Sequence, residues 1–181
     1  MKNIKPNIRH LKDMKEVIFD KDWLKTANPD LELYYMYRGL DENEKDNLRY
    51  DITVLKSLML GKEYNKTAGH IHSDYTENYE VLEGEAIFLM QKIENNKIKD
   101  VYAVKAKATD KITIPLNYSH IMINIGNSDL KTSNWINKDC VNVYDYIKQK
   151  QGLCYFAIKE NGELKWIKNK NYSNIPELRF E

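Results

Sequence analysis

The chain predicts an all-β fold, an antiparallel sandwich or barrel, and three observations carry that expectation. Short runs rich in β-branched and aromatic residues recur at small intervals, Gly, Asn and Asp turn signals separate them, and no long helical period follows the first thirty or so residues. A length of 181 residues suits one sizeable domain with a full core, so residues 1–181 are expected to form a single domain, with a β core over about 31–168.

Residues 1 to about 30 read as a helical amino-terminal extension, with short helical pieces from Arg9 to about Asn28. Leu11, Met14 and Val17 or Ile18 recur at helical spacing, Asp20 offers an N-cap ahead of Trp23 and Leu24, and Pro29 ends the segment. The period then changes to two, with strands expected over Leu31–Tyr37, Asp51–Leu60, Tyr79–Gln91, Val101–Lys107, Lys111–Ile114 and His120–Ile125. Glu94-Asn-Asn-Lys97 reads as a hairpin tip. Leu153–Glu160 and Glu163–Lys168 flank Asn161-Gly162, the strongest short hairpin signal in the chain.

Charged residues make up 30% of the chain and nearly cancel to a formal net charge of +1, which implies no basic face for nucleic acid. Neither a secretory signal nor a membrane-spanning run is legible, so the expectation is a cytoplasmic protein with no membrane partner. The 2 cysteines, Cys140 and Cys154, are not in C-x-x-C spacing and are expected as free thiols.

Three of the 4 histidines fall into one pattern with a carboxylate. His70 and His72 are two apart, so in a strand both imidazoles face the same way. Glu77 follows after a turn, and His120 arrives in a later strand. Buried together without a cation, three neutral imidazoles and a carboxylate would each need separate hydrogen-bond partners; one divalent ion satisfies all of them. His10, in a charged amino-terminal segment, carries no such implication. Four protein ligands leave two positions open on a six-coordinate metal, and iron, manganese, nickel, cobalt or zinc would each accept this donor set.

The blocks Gly69-His70-x-His72, Glu77-x-Tyr79-x-x-Leu82-x-Gly84 and Pro115-x-x-x-x-His120-x-x-x-Asn124-x-Gly126 resemble the two cupin motifs, and more narrowly the cupin-type glucose-6-phosphate isomerases. Arg9-His-Leu-Lys-Asp-Met14, Trp23, Tyr34-Tyr-Met-Tyr37, Thr53, Gly61-Lys-Glu-Tyr-Asn-Lys-Thr67 and Glu160-Asn-Gly-Glu-Leu-Lys165 extend the likeness over most of the chain. The resemblance implies a double-stranded β-helix jelly roll, a homodimer, one divalent metal per chain on His70, His72, Glu77 and His120, and a sugar phosphate substrate, with fructose 6-phosphate and glucose 6-phosphate interconverted. It also implies phosphate contacts from Thr53, Thr67 and Gly69, and active-site hydroxyls from Tyr34, Tyr79 and Tyr144.

Isomerisation moves a proton or a hydride between C1 and C2, and Glu77 is the candidate base for the proton route. A metal-assisted hydride shift with no base is the alternative. Thr53 and Thr67 are expected on neighbouring strands. Tyr79 stands two after Glu77 and shares its face, whereas 13 tyrosines in the chain make position alone a weak signal for the others. The sequence departs from the family at Asn142, where relatives tend to have histidine, and at Trp135 or Ile136, where they have a tyrosine. Both changes fall on the expected sugar wall. Another phosphorylated sugar as substrate, a metal dioxygenase, and a non-catalytic sugar-phosphate-binding cupin are the competing readings.

Overall fold

The computed structural model describes residues 4–72 and 74–181; the first three positions of the expected amino-terminal extension lie outside it. Among the described residues, the strands form a six-stranded sheet ordered β1-β2-β3-β11-β6-β9 and two four-stranded sheets, β10-β7-β8-β14 and β13-β12-β5-β4. These are β1 (Asn7–His10), β2 (Glu32–Asn43), β3 (Leu48–Leu55), β4 (Met59–Leu60), β5 (Glu63–Tyr64), β6 (Glu77–Glu83), β7 (Glu85–Glu94), β8 (Lys97–Lys107), β9 (Lys111–Ile114), β10 (Tyr118–Asn124), β11 (Leu130–Asn137), β12 (Tyr155–Glu160), β13 (Glu163–Lys168) and β14 (Arg179–Phe180). Neighbours are antiparallel except β14, which runs parallel to β8. The jelly roll expected from the sequence is the fold, with the barrel built from the six-stranded sheet and the β10-β7-β8-β14 sheet.

The hairpins lie where Asn and Gly announced them. Asn95 and Asn96 both adopt positive φ between β7 and β8, and Asn161 and Gly162 do so between β12 and β13. The amino-terminal segment is more mixed than expected. Asn7–His10 pairs with β2 as a strand, and the helical content reduces to 3-10 turns at Leu11–Asp13 and Lys15–Val17 and one α-turn, α1 (Lys21–Leu24). Asp20 caps that turn, its Oδ1 accepting from Trp23 N–H at 3.0 Å. Leu11, Met14, Val17 and Ile18 are all buried, so their spacing reported the packing, and the short helical pieces expected there are single turns.

Two expected strands are each divided. Gly84, at φ +88, ends β6 in one sheet and starts β7 in another, where Tyr79–Gln91 was expected as one run. Asp51–Leu60 likewise breaks into the end of β3 and the short β4. Strand β11 and a short helix, α2 (Asp145–Gln149), were not anticipated.

Strand β7 is buried over six consecutive residues, Ala86–Gln91, because both of its faces are covered. Gln91 shows how a polar residue is accommodated there. Its Oε1 accepts from Cys154 N–H at 2.7 Å and its Nε2 donates to the Tyr172 hydroxyl, which in turn donates to the Gly152 carbonyl. A buried ion pair joins the amino-terminal segment to the barrel: Lys66 Nζ lies 2.5 Å from Glu63 Oε1 and donates to the Val17 carbonyl, while Glu63 Oε2 accepts from Phe19 N–H. Both cysteines are free; Cys154 is buried and burial pushes its thiol up to about 12.

Candidate metal centre

The segment carrying His70 and His72 is not a regular strand, as expected, but a connection pinned on two sides. His70 N–H and C=O pair with His120 of β10, and Ile71 pairs with Val143. This pinning turns both imidazoles toward Glu77 at the start of β6 and His120 in β10. The donor atoms of the four side chains lie within 4.8 Å of one another. Glu77 Oε2 is the focus, with His72 Nε2 at 3.0 Å, His120 Nε2 at 3.3 Å and His70 Nε2 at 3.9 Å.

The pattern of unmet hydrogen bonds identifies what this cluster suits. Among the described residues, His70 Nε2 and both ring nitrogens of His120 are buried with no hydrogen-bond partner, an expensive arrangement for polar atoms that a cation relieves by accepting one lone pair from each imidazole. His72 is already oriented: its Nδ1 lies 2.8 Å from the Tyr75 carbonyl, which can only accept, so Nδ1 carries the hydrogen and Nε2 faces the cluster. Asn134 of β11 donates from Nδ2 to Glu77 Oε1 at 2.7 Å and leaves Oε2 for the centre.

Charges follow the same geometry. Burial, then the neighbouring His120, push the His70 imidazole well below its ordinary range, so it stays neutral and able to donate a lone pair. Burial works against ionising Glu77, yet contact with His120 and His72 outweighs it and holds the carboxyl below the usual range. His72 is raised: burial opposes its charged form, but Glu77 and the Tyr75 carbonyl prevail. Three imidazoles and one ionised carboxylate in this arrangement fit a divalent ion with borderline preferences.

The cluster opens onto a cavity that collects the other sequence-derived candidates. Tyr34, Thr53, Thr67, Gly69, Tyr79 and Tyr144 all line it. Burial first, then the Glu77 carboxylate, push the Tyr79 hydroxyl well above its ordinary range, so it remains a proton donor. The Tyr34 hydroxyl accepts from Ala68 N–H at 3.3 Å, leaving its own hydrogen free. Tyr144 packs its ring 5.7 Å from that of His70. Gly69 is required twice over: its φ is +81, and a Cβ there would lie 2.7 Å from Ile121.

One expectation needs correction. Thr53 and Thr67 do not sit on neighbouring strands; Thr53 is in β3 of the six-stranded sheet, and Thr67 hydrogen-bonds to Met122 of β10 in the facing sheet. They approach the cavity from opposite walls. Of the two candidates for the family's tyrosine position, Ile136 lines the cavity, whereas the Trp135 ring packs against Tyr50 at 5.0 Å.

Sequence reasoning missed Arg9, Arg38, Arg49, Asp51 and Asn134 as cavity residues. Arg49 and Asp51 alternate with Thr53 along β3, so the period-two rule applied to Thr53 would have found them. Arg9 carries a buried Nε with no hydrogen-bond partner among the described residues, and its guanidinium lies 5.9 Å from the centre of the Tyr34 ring. Nothing in a single arginine of an apparently helical segment signals that.

Comparison with known proteins agrees with this geometry. The family model "Glucose-6-phosphate isomerase (GPI)" matches residues 8–176. Glucose-6-phosphate isomerase of Pyrococcus furiosus is 27% identical over 172 residues, covering 93% of this chain and 88% of that protein. The enzyme of the same name from Thermococcus onnurineus is 28% identical over 169 residues, covering 91% and 86%. Among solved structures, oxalate oxidase with the substrate analogue glycolate superposes with a TM-score of 0.46 at 17% identity, covering 56% of this chain and 47% of that one, and the fold assignment rests on strand order instead. A match spanning the barrel, the four donor residues and the amino-terminal strand makes this chain a member of the glucose-6-phosphate isomerase family.

Proposed function

We propose that this chain, acting as a single-domain cytoplasmic enzyme and, on the family likeness, as a homodimer, interconverts glucose 6-phosphate and fructose 6-phosphate at the His70, His72, Glu77 and His120 centre. The observation that carries the reading is the convergence of four metal-type donors, two of them on imidazoles (His70 and His120) whose Nε2 is buried without a hydrogen-bond partner among the described residues, at the wall of a cavity that also holds a phosphate-type cradle.

The cradle is the Thr53 and Thr67 hydroxyls, the backbone at Gly69 and the free hydrogen of Tyr34, with Arg9 supplying the positive charge that a phosphate dianion calls for. A bound divalent ion supplies Lewis acidity toward the carbonyl and the hydroxyl beside it. Glu77, whose carboxyl the cluster holds below its usual range, is the candidate base for a proton on C1 or C2 and would have to free Oε2 from the ion to act. Tyr79 keeps its hydrogen and is positioned to donate toward a sugar oxygen on which negative charge develops. Tyr144, beside His70, closes the other side of the cavity.

The test is to strip the protein of metal and reload it separately with iron, manganese, nickel, cobalt and zinc. Conversion of fructose 6-phosphate is followed beside a panel of other sugar phosphates. Turnover of fructose 6-phosphate with at least one metal, abolished by chelation, is expected. Folded protein that converts nothing in any metal form, or that prefers a different sugar phosphate, contradicts the proposal.

A further inference from the structure

Strand β3 works as a ruler along the cavity. Thr53, Asp51 and Arg49 all line it, and each two-residue step along a strand advances about 6.6 Å. Thr53 belongs to the phosphate cradle. Asp51 is one step further on, and its register partner in β11 is Asn134, the residue that bonds Glu77. Asp51 therefore stands between the cradle and the metal centre, beside the middle of any sugar that reaches both.

The carboxylate there is built in. Asp51 is 6% exposed; its Oδ1 accepts from Gly39 N–H at 2.9 Å, and its Oδ2 accepts from Arg49 Nε at 3.0 Å. Gly39 lies in the stretch where β2 slips register against β3 between Tyr37 and Asp41, so the amide reaches Asp51 because of that irregularity. A carboxylate has roughly four acceptor sites and these two bonds use half of them. The remaining sites belong to a side chain that lines the cavity and are available to hydroxyl donors there, while Arg49 balances the charge.

We propose that Asp51, held in place by Gly39 and Arg49, binds the mid-chain hydroxyls of the sugar phosphate and so sets which sugar this site accepts. It is a substrate-binding residue, and Arg49 is its positioning residue. Ile136, which has no hydrogen-bonding side chain, lines the cavity beside Arg49 as its register partner in the same sheet.

The inference rests on the isomerase reading, and the experiment separates the two. Asp51→Asn preserves size and the Gly39 contact; Asp51→Ala removes the group. In metal-loaded protein, both should raise KM and the calorimetric Kd for fructose 6-phosphate by about tenfold while kcat, metal content and the Kd for inorganic phosphate stay within about threefold. Wild type should bind 4-deoxy or 5-deoxy fructose 6-phosphate more weakly than the parent sugar, and Asp51→Ala should lose that discrimination. Arg49→Gln should reproduce the KM rise and Arg49→Lys should restore part of it. Unchanged sugar affinity and unchanged discrimination in both Asp51 variants overturn the proposal, as does a parallel loss of metal. If fructose 6-phosphate binds with these shifts yet is never converted, the isomerase reading falls and the Asp51 assignment stands.

Discussion

Removing the Asn134 amide tests whether the surroundings of the donor set matter as much as the donors. Asn134 is buried, and its Nδ2 donates to Glu77 Oε1 at 2.7 Å, a bond to an ionised group inside the barrel. Such bonds contribute about 1.5–3 kcal/mol, equivalent to about 10- to 150-fold in an equilibrium constant. Much of that bond is realised only when Glu77 is held ionised with Oε2 turned to the centre, so Asn134→Ala should weaken metal binding by about 10- to 100-fold. Competition against a chelator of known affinity measures it, with thermal unfolding of both metal-free proteins as the control for damage to the sheet. A dissociation constant within about twofold of wild type would refute the argument that β11 orients the carboxylate.

Thr67 has two jobs, since its Oγ1 accepts from Met122 N–H at 3.0 Å while its hydrogen remains free for a phosphate. Thr67→Val should therefore raise KM for sugar phosphate about tenfold and also destabilise the fold by about 1–3 kcal/mol, whereas Thr67→Ser should do neither; steady-state kinetics and denaturant unfolding separate the outcomes, and an unchanged KM in the valine variant removes Thr67 from the cradle. Lys66→Ala leaves Glu63, 1% exposed, without its cation and should cost about 3–5 kcal/mol in urea unfolding, while the double variant Lys66→Met with Glu63→Gln should recover most of that loss. Equal loss in the single and double variants would show that the charge pairing is not what matters there.

Much of the barrel was legible because its signals are local. Alternation of buried side chains over β9, the continuous apolar run of β10, and the Asn and Gly residues at the two hairpins act within a few residues of chain. The donor set was legible too, because His70, His72, Glu77 and His120 carry chemistry that has few uses when buried together. What stayed hidden depends on pairing between distant segments. β11 was missed because Lys131, Ser133 and Asn134 dilute its apolar signal; its place between β3 and β6 is fixed by register with both neighbours. The same holds for Arg9, which reaches the cavity because Asn7–His10 adds to the edge of β2. Helical spacing at Leu11, Met14 and Val17 was a true statement of which side chains are buried, and two 3-10 turns satisfy it.

Metal stoichiometry in the wild-type protein and in His72→Ala, measured by elemental analysis alongside activity and circular dichroism, bears most directly on the centre. Close to one divalent ion per wild-type chain is expected, with the ion and the isomerase activity lost together in His72→Ala while the β signature persists, because the core of the sandwich does not depend on that side chain. Well-folded wild-type protein that takes up no ion, or a His72→Ala variant that stays active in the presence of chelator, would contradict the account.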